Sequence, residues 1–389
     1  MTLKGIKLRI YPNEFQTKHI EMNFGCVRKV WNMMLAMQKK RYENNLDCKF
    51  VSNFDMNILL PLLKKDYPYL KQVESTSLQC TNKDLSEAFK KFFREHTGYP
   101  RFKSRKYPRQ SYQSKCVNHN IQQVNDSYIK LPKLGEMKFK CGRDIPEVIK
   151  SVTIRRSPAG KYYAVLTVED ENQAFAKMQA QVGLDMGIAD LIITSDSVKH
   201  PTIRFDKILA KKKLQWERKL ARRRLLAIKN IAKTKKIGIL EPKSLEDYKN
   251  VQKAKRMVAK YSEKITNQRK DYIHKITTQL VKDYDIITIE DLKASNMLKN
   301  HNLARAIANQ SWRMIRTMLE YKCDWYGKKL IVVNPFKTSQ YCAECGYDDG
   351  KHGLDVRQWI CPNCHSNNDR DINASKNILN KGLEQALVR

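Results

Sequence analysis

Two spacings divide the chain into predicted elements. Ile6, Leu8 and Ile10 alternate with Lys7, Arg9 and Tyr11, the period-two pattern of a half-buried strand with a basic outer face. Tyr11-Pro12-Asn13 ends it. From Thr17 the spacing lengthens: Ile20, Phe24, Val27, Trp31, Leu35 and Tyr42 recur at helical steps and predict one long helix with an apolar stripe. Helical spacing returns over 56–65, stopped near Pro68, and over 75–96. In the latter Leu78, Leu85, Ala88, Phe89 and Phe92 form a buried face opposite Lys83, Lys90, Lys91 and Arg94. Strand-like text fills 111–169, with segments at 128–131, 136–140, 152–156 and 162–168. Ser157-Pro158-Ala159-Gly160 makes the turn between the last two. Together with the first strand these segments predict a small barrel. Residues 169–181 are polar and alanine-rich, the composition of a linker.

A second series begins at Val182-Gly183-Leu184-Asp185-Met186-Gly187-Ile188. An apolar run ends there on a carboxylate, crosses a glycine turn and resumes at Leu191-Ile192-Ile193-Thr194, which predicts a β-hairpin with an acid on its first strand. Glycines at 183 and 187 leave room for close approach by backbone or ligand. A third strand is expected at 202–205. Residues 207–236 are helix-forming and heavily basic, with Leu214, Leu220, Leu225 and Ile228 as a thin apolar seam, and the helix is expected to continue past Pro242 to about Lys282. Ile286-Ile287-Thr288-Ile289-Glu290 is a short β-branched run, hence a buried strand with an acid at its carboxy end, where active sites of open α/β sheets form. A helix over 303–326 and a buried strand over 329–334 follow.

Charge narrows the partner. The 389 residues carry a net +34, with Lys and Arg from end to end. Such an excess concentrates polyanions at the surface and favours counterion release when phosphates bind. Nucleic acid is therefore the leading partner. No basic amphipathic terminus or lipidation site supports a membrane surface instead. No apolar run of about eighteen residues is present, so no membrane span is expected. Met1-Thr2-Leu3-Lys4 opens no apolar signal region, so a cytoplasmic protein with reduced cysteines is expected. Between residues 98 and 109, Tyr99, Phe102 and Tyr107 interleave with Arg101, Lys103, Arg105, Lys106 and Arg109. Aromatics can stack on bases while cations hold phosphates, and a solvated linker would read the same way.

Four of the ten cysteines are grouped: Cys342 with Cys345, and Cys361 with Cys364, fifteen residues apart. That spacing suits a four-thiolate zinc ribbon, a closed structural site. Gly346 and His365 follow the two knuckles where turn geometry is needed; His365 or His352 are substitute ligands. Asp369 reads as the cap of a last helix, and Asp371 lies one turn in, able to point at the sheet end that holds Asp185 and Glu290. Three carboxylates from two strands and a helix form the constellation that holds two Mg²⁺ ions against a scissile phosphate. No Ser/His/Asp or Cys/His nucleophile set is apparent.

The order Gly183-Leu184-Asp185-Met186-Gly187, Ile289-Glu290-Asp291-Leu292, the paired CxxC knuckles, and Asp369-Arg370-Asp371-Ile372-Asn373-Ala374 resembles the RuvC-like nuclease of TnpB proteins. Leu8-Arg9-Ile10-Tyr11-Pro12, Phe24-Gly25-Cys26-Val27-Arg28 and Tyr99-Pro100-Arg101-Phe102-Lys103-Ser104 extend the likeness over essentially the whole chain. The resemblance implies a wedge (OB-like) β-barrel at 1–12 and 110–180 and a helical recognition domain at 13–109. It further implies an RNase H-like (RuvC) nuclease domain of α/β class at 181–339 and 367–389, with a zinc ribbon inserted at 340–366. It implies a transposon-encoded, RNA-guided DNA endonuclease in which Asp185, Glu290 and Asp371 are catalytic. Its cofactors would be structural Zn²⁺, two catalytic Mg²⁺ and a guide RNA from the transposon end. Its target would be double-stranded DNA beside a short motif, bound by a monomer or dimer on one RNA. Motif contacts are expected at Ser75, Thr76 and Gln79, and further nucleic-acid contacts at Arg101, Lys103, Arg222 and Arg223. An RNA-guided repressor that does not cut and a DNA-joining transposase are the alternatives, the latter weakened because no separate helix-turn-helix module is visible.

Overall fold

The computed structural model describes residues 2–237, 243–292, 311–353 and 356–387. The chain forms two compact units, residues 1–171 and 172–389. Among the described residues no helix is long and apolar enough to cross a membrane.

In the first unit, strand β1 (Thr2–Tyr11) leads into helix α1 (Glu14–Asn44). Asn13 starts the helix through a capping box: its side chain accepts the Gln16 N–H (2.8 Å) and the Gln16 side chain accepts the Asn13 N–H (3.0 Å). The stretch expected as one helix over 56–65 is two, α2 (Asn53–Ile58) and α3 (Leu60–Asp66), because Pro61 restarts the backbone at a new first turn. Helix α4 (Ser75–Glu95) ends at His96 in the left-handed conformation. Strands β2 (Gln110–Lys115), β3 (Gln122–Gln123), β4 (Tyr128–Leu131), β5 (Gly135–Lys140), β6 (Ile149–Arg156) and β7 (Tyr162–Asp170) join β1 in an antiparallel sheet of order β2-β6-β7-β1-β5-β4-β3. The expected barrel is not closed. Alternation along a strand fixes which face is buried but not whether the outer strands meet, and the outer strand β3 is a polar pair, Gln122–Gln123. Leu8 and Ile10 meet Ile20, Phe24 and Leu35 of α1 and Leu166 of β7 in one core.

The second unit holds a five-stranded sheet of order β10-β9-β8-β11-β12. Strands β8 (Gln181–Asp185) and β9 (Asp190–Thr194) form the antiparallel hairpin, with Leu184 opposite Thr194. The next strand, β10, is Lys199–Pro201 rather than 202–205, and Phe205–Ile208 is already helical (α5). A tight turn explains this: the Thr194 hydroxyl accepts the Val198 N–H at 2.9 Å, so the chain returns within four residues. The long basic helix is two, α6 (Ala210–Lys236) and α7 (Lys249–Asp283), separated by a turn in which Ser244 donates to Asp247 (2.8 Å); Pro242 lies outside the described residues. The seam on α6 is not buried: Leu214, Leu225 and Ile228 are 45%, 57% and 46% exposed. Strands β11 (Ile286–Glu290) and β12 (Lys329–Val333) run parallel to β8, with helix α8 (Trp312–Tyr326) between them in sequence. The expected 303–310 part of that helix lies outside the described residues. A two-stranded ribbon, β13 (Gln358–Ile360) and β14 (Asn367–Asp369), precedes helix α9 (Arg370–Leu387). The supposed linker is fastened down: Phe175 stacks on Tyr326 at 4.0 Å, and Asp285 accepts the Met178 and Gln179 N–H groups.

The sheet's two faces divide by residue parity. Val182, Leu184, Ile287 and Ile289 pack with Ile276 and Leu280 of α7 and Ile315 of α8. The alternate positions, Gly183, Asp185, Thr288 and Glu290, face the other way, toward α9.

Candidate active site

Asp185 closes β8 and Glu290 closes β11. The parallel register pairs Leu184 with Ile289, so the two carboxylates are next in line on neighbouring strands, on the same face. Strand neighbours are about 4.8 Å apart. Helix α9 crosses that face at unusually short range. A Cβ on Gly183 would sit 2.0 Å from the Ser375 carbonyl oxygen and 2.7 Å from the Leu379 nitrogen. A Cβ on Gly382 would sit 2.4 Å from Thr288 Oγ1. Glycine at 183 lets helix and sheet backbone touch, and glycine at 382 seats the Thr288 side chain against the helix backbone. Asp371 lies four residues before Ser375, on the same side of α9, one turn toward the end of β8 that carries Asp185. Asp369 is the cap: its Oδ1 accepts the Asp371 and Ile372 N–H groups at 3.0 and 3.2 Å.

The electrostatics join the three acids. Burial, then the charges of Glu290 and Asp371, push the Asp185 carboxyl up to about 7. Burial also raises Glu290, opposed by a hydrogen bond from the Thr338 hydroxyl (2.5 Å to Oε1) and by the charge of Lys381. Asp371 Oδ2 is 3.2 Å from Arg357 Nη1. The three carboxylates are not all within 4.8 Å of one another; among the described residues the four ribbon cysteines are the one set of metal-ligand side chains that meets this closeness.

In the ribbon, Cys342 Sγ lies 3.7 Å from Cys364 Sγ and Cys345 Sγ 3.6 Å from Cys361 Sγ. Each knuckle is a tight turn: Gly346 N–H donates to Cys342 O and His365 N–H to Cys361 O, both at 2.9 Å, with Gly346 and His365 at positive φ. Four sulfurs from two such turns match the donor set of a structural zinc ion, which they would hold with no open position. His352 is outside it, 3.1 Å from Asp349. The other six cysteines carry free thiols.

Several residues at the site carried no sequence signal. Thr338 lies past the end of β12, and only the fold brings its hydroxyl to Glu290. Arg357 reaches Asp371 from the ribbon. Asn373 and Asn377, one turn apart on α9, both donate to the Tyr341 carbonyl (2.7 Å each), and Asn377 also donates to Thr338 O (2.9 Å). They tie α9 to the first knuckle. Asn373 alone stood in a recognisable motif.

The expected nucleic-acid contacts fall in different settings. In the first unit, Ser75 and Gln79 are exposed on one side of α4, while Thr76 is occupied: its hydroxyl accepts the Lys115 N–H (3.2 Å). Arg101 is exposed, and the Lys103 ammonium lies over the Trp31 ring at 3.7 Å. In the second unit, Arg222 is exposed, whereas Arg223 donates to Asn250 O (3.1 Å) and so braces α6 on α7. Glu217 is the only acid in α6.

A family model described as "Helix-turn-helix domain" matches residues 1–47, one described as "Probable transposase" matches 163–301, and one described as "Cas12f1-like, TNB domain" matches 312–378. A Streptomyces pristinaespiralis protein named "Putative RNA-guided DNA endonuclease" is 34% identical over 388 residues, covering 98% of this chain and 89% of its own. The chain belongs to the TnpB family. A second relative, from Escherichia coli K12 and named "Putative RNA-guided DNA endonuclease InsQ", is 32% identical over 98% of this chain and 92% of its own. The solved "mini-RNA-guided endonuclease CRISPR-Cas_phi3" shares the fold, with a TM-score of 0.50 at 10% identity over 98% of this chain and 92% of that one. Within the match described as helix-turn-helix, residues 2–44 form β1 and one unbroken α1, not two helices around a turn.

Proposed function

We propose that the protein is an RNA-guided DNA endonuclease that cuts by metal-dependent phosphodiester hydrolysis, with Asp185, Glu290 and Asp371 as its catalytic carboxylates. The observation that carries the reading is the crowding of negative charge at the ends of β8 and β11. Asp185 is held near neutral pKa by burial and by two other acids, an arrangement that destabilises the folded chain unless cations enter. The donor set, carboxylate oxygens on an open sheet end, suits Mg²⁺. When bound, a pair of such ions supplies an activated water and stabilises the leaving oxygen. The chain's own part is positional. The parallel register sets Asp185 beside Glu290, Thr338 holds Glu290 by one oxygen, and α9 carries Asp371 to the same face. Arg357 stands beside Asp371, where it can neutralise charge.

The wider architecture supports the same reading: three parallel strands β8, β11 and β12, with an antiparallel extension and a helix across the acidic face, are the arrangement that an RNase H-like nuclease would use. The first unit, with its basic sheet and α4, would hold the guide and read the motif beside the target through Ser75 and Gln79. Thr76 would act there by anchoring α4 to β2. The zinc ribbon would brace α9. Such a protein would act in the cytoplasm, on the DNA of its host. The test is cleavage by the protein purified with its co-expressed RNA, given Mg²⁺ and a plasmid library of flanking motifs. Linear product that disappears in Asp185→Ala is expected. Binding without product in the unaltered protein would replace the nuclease with a guided repressor, and strand joining would replace it with a transposase.

A further inference from the structure

Residues 98–109 read equally as a solvated linker or a nucleic-acid contact from sequence. In the structure their backbone is not free. The Trp31 indole donates to the Arg101 carbonyl (3.0 Å). The Asn32 side chain closes a pair of hydrogen bonds with Lys103, donating to its carbonyl (3.0 Å) and accepting its N–H (2.8 Å). Gln110 donates to Tyr107 O (2.6 Å), and Pro100 is buried. The segment is a strap pinned along α1.

Its side chains do the opposite. Tyr99, Phe102 and Tyr107 are 44%, 56% and 59% exposed. Tyr99 is held edge-on against Phe89 and Phe92 of α4, at 5.5 and 5.3 Å, so its position is fixed from behind. Exposing three large rings on a pinned backbone forgoes burial that each could have gained. Cations alternate with the rings, and no Asp or Glu occurs from Thr97 through Asn125. A linker kept in water needs neither a fixed backbone nor bare rings. Fixed rings with interleaved cations are what an unpaired strand needs: each base offers a π face, and each phosphate meets a positive charge.

We infer that this strap is a stacking platform for an unpaired nucleic-acid strand. The inference rests on the nucleic-acid reading above and names a surface within it. The strap's polar side chains are largely used on its own backbone. Asn32 and Gln110 are committed to its backbone, and the Ser104 hydroxyl accepts the Lys106 N–H (3.2 Å). The platform therefore presents rings and charge, with no side-chain amide set aside for a 2′-hydroxyl or a base edge, and a partner recognised by stacking alone is bound without regard to sequence.

The experiment measures binding of fluorescein-labelled oligothymidylate, oligouridylate and a short DNA duplex to the full chain over a series of salt concentrations. Phe102→Ala is expected to weaken oligothymidylate by about fivefold or more. Duplex affinity and the salt slope should be unchanged, because no phosphate contact is removed. Phe102→Trp should restore binding. Arg101→Ala should instead flatten the salt slope by roughly 0.7. Phe102→Leu keeps an apolar side chain without a π face, so a loss that persists there, at an unchanged melting temperature, separates stacking from folding. Oligouridylate should weaken alike, since the ring stacks on either base; unchanged binding of both strands in Phe102→Ala overturns the platform. Wild-type protein that binds neither strand nor duplex overturns the nucleic-acid reading itself.

Discussion

Removing the carboxylate of Asp185 from this fold should make the cation-free protein more stable. Asp185 is displaced from its ordinary 3.8 to about 7, first by burial and then by Glu290 and Asp371. A raised carboxyl pKa means that folding favours the protonated form. Its stabilising contribution is complete below pH 3.8 and is lost as pH rises through about 7. Each unit costs about 1.4 kcal/mol, so the penalty reaches a ceiling of about 4 kcal/mol above neutrality. Asp185→Asn keeps the shape and cannot ionise. In buffer free of divalent cations other than zinc, the variant should match wild type near pH 4, gain through pH 5 and 6, and level off above about pH 7. For a unit of this size the plateau corresponds to a rise in melting temperature on the order of 5–15 °C. Differential scanning calorimetry of the second unit's transition reads it. Excess Mg²⁺ should then stabilise wild type and leave the variant unmoved, since only a folded state that binds the ion gains. A variant no more stable than wild type at pH 8, or a gain that does not shrink toward pH 4, would refute the mutual repulsion on which the site depends.

Two other results are expected. Gly183→Ala places a Cβ 2.0 Å from the Ser375 carbonyl oxygen; backbone cannot rotate aside, so α9 must shift, at a cost of about 1–3 kcal/mol or more in urea unfolding. Cleavage should fall with it because Asp371 rides on α9, and a normal midpoint with normal cutting would show that the helix does not pack so closely. Elemental analysis should find one zinc per chain, lost in Cys361→Ser, with protease cuts appearing between 340 and 366 in that variant; retention of zinc would exclude Cys361 as a ligand.

What could be read from the chain was whatever local pattern dictates. Alternation and β-branching placed Asp185 and Glu290 at strand ends, and paired CxxC knuckles with Gly346 and His365 behind them drew the ribbon. The positions of Thr338 and Arg357 could not be read, because each matters only through a partner 48 or 14 residues away that the fold brings near. The sheet of the first unit was expected to close, since alternation says which face is wet and nothing about whether β2 meets β3. The leucines of α6 were expected in a seam. Helical periodicity reports that a stripe exists, and the structure leaves this one in solvent.

Strand β8 lies mid-sheet; its hairpin partner β9 follows at once, but its parallel neighbour β11 comes about a hundred residues on, and α9 only after the ribbon. On a ribosome, the segment holding the first acid must therefore wait, half-covered, while most of the unit is still being made. Parallel pairing across such separations is slow to form. The repulsive cluster is thus assembled last. A nascent or truncated product that stops short of residue 371 would lack the third carboxylate, and translation itself would act as a safety catch on the site.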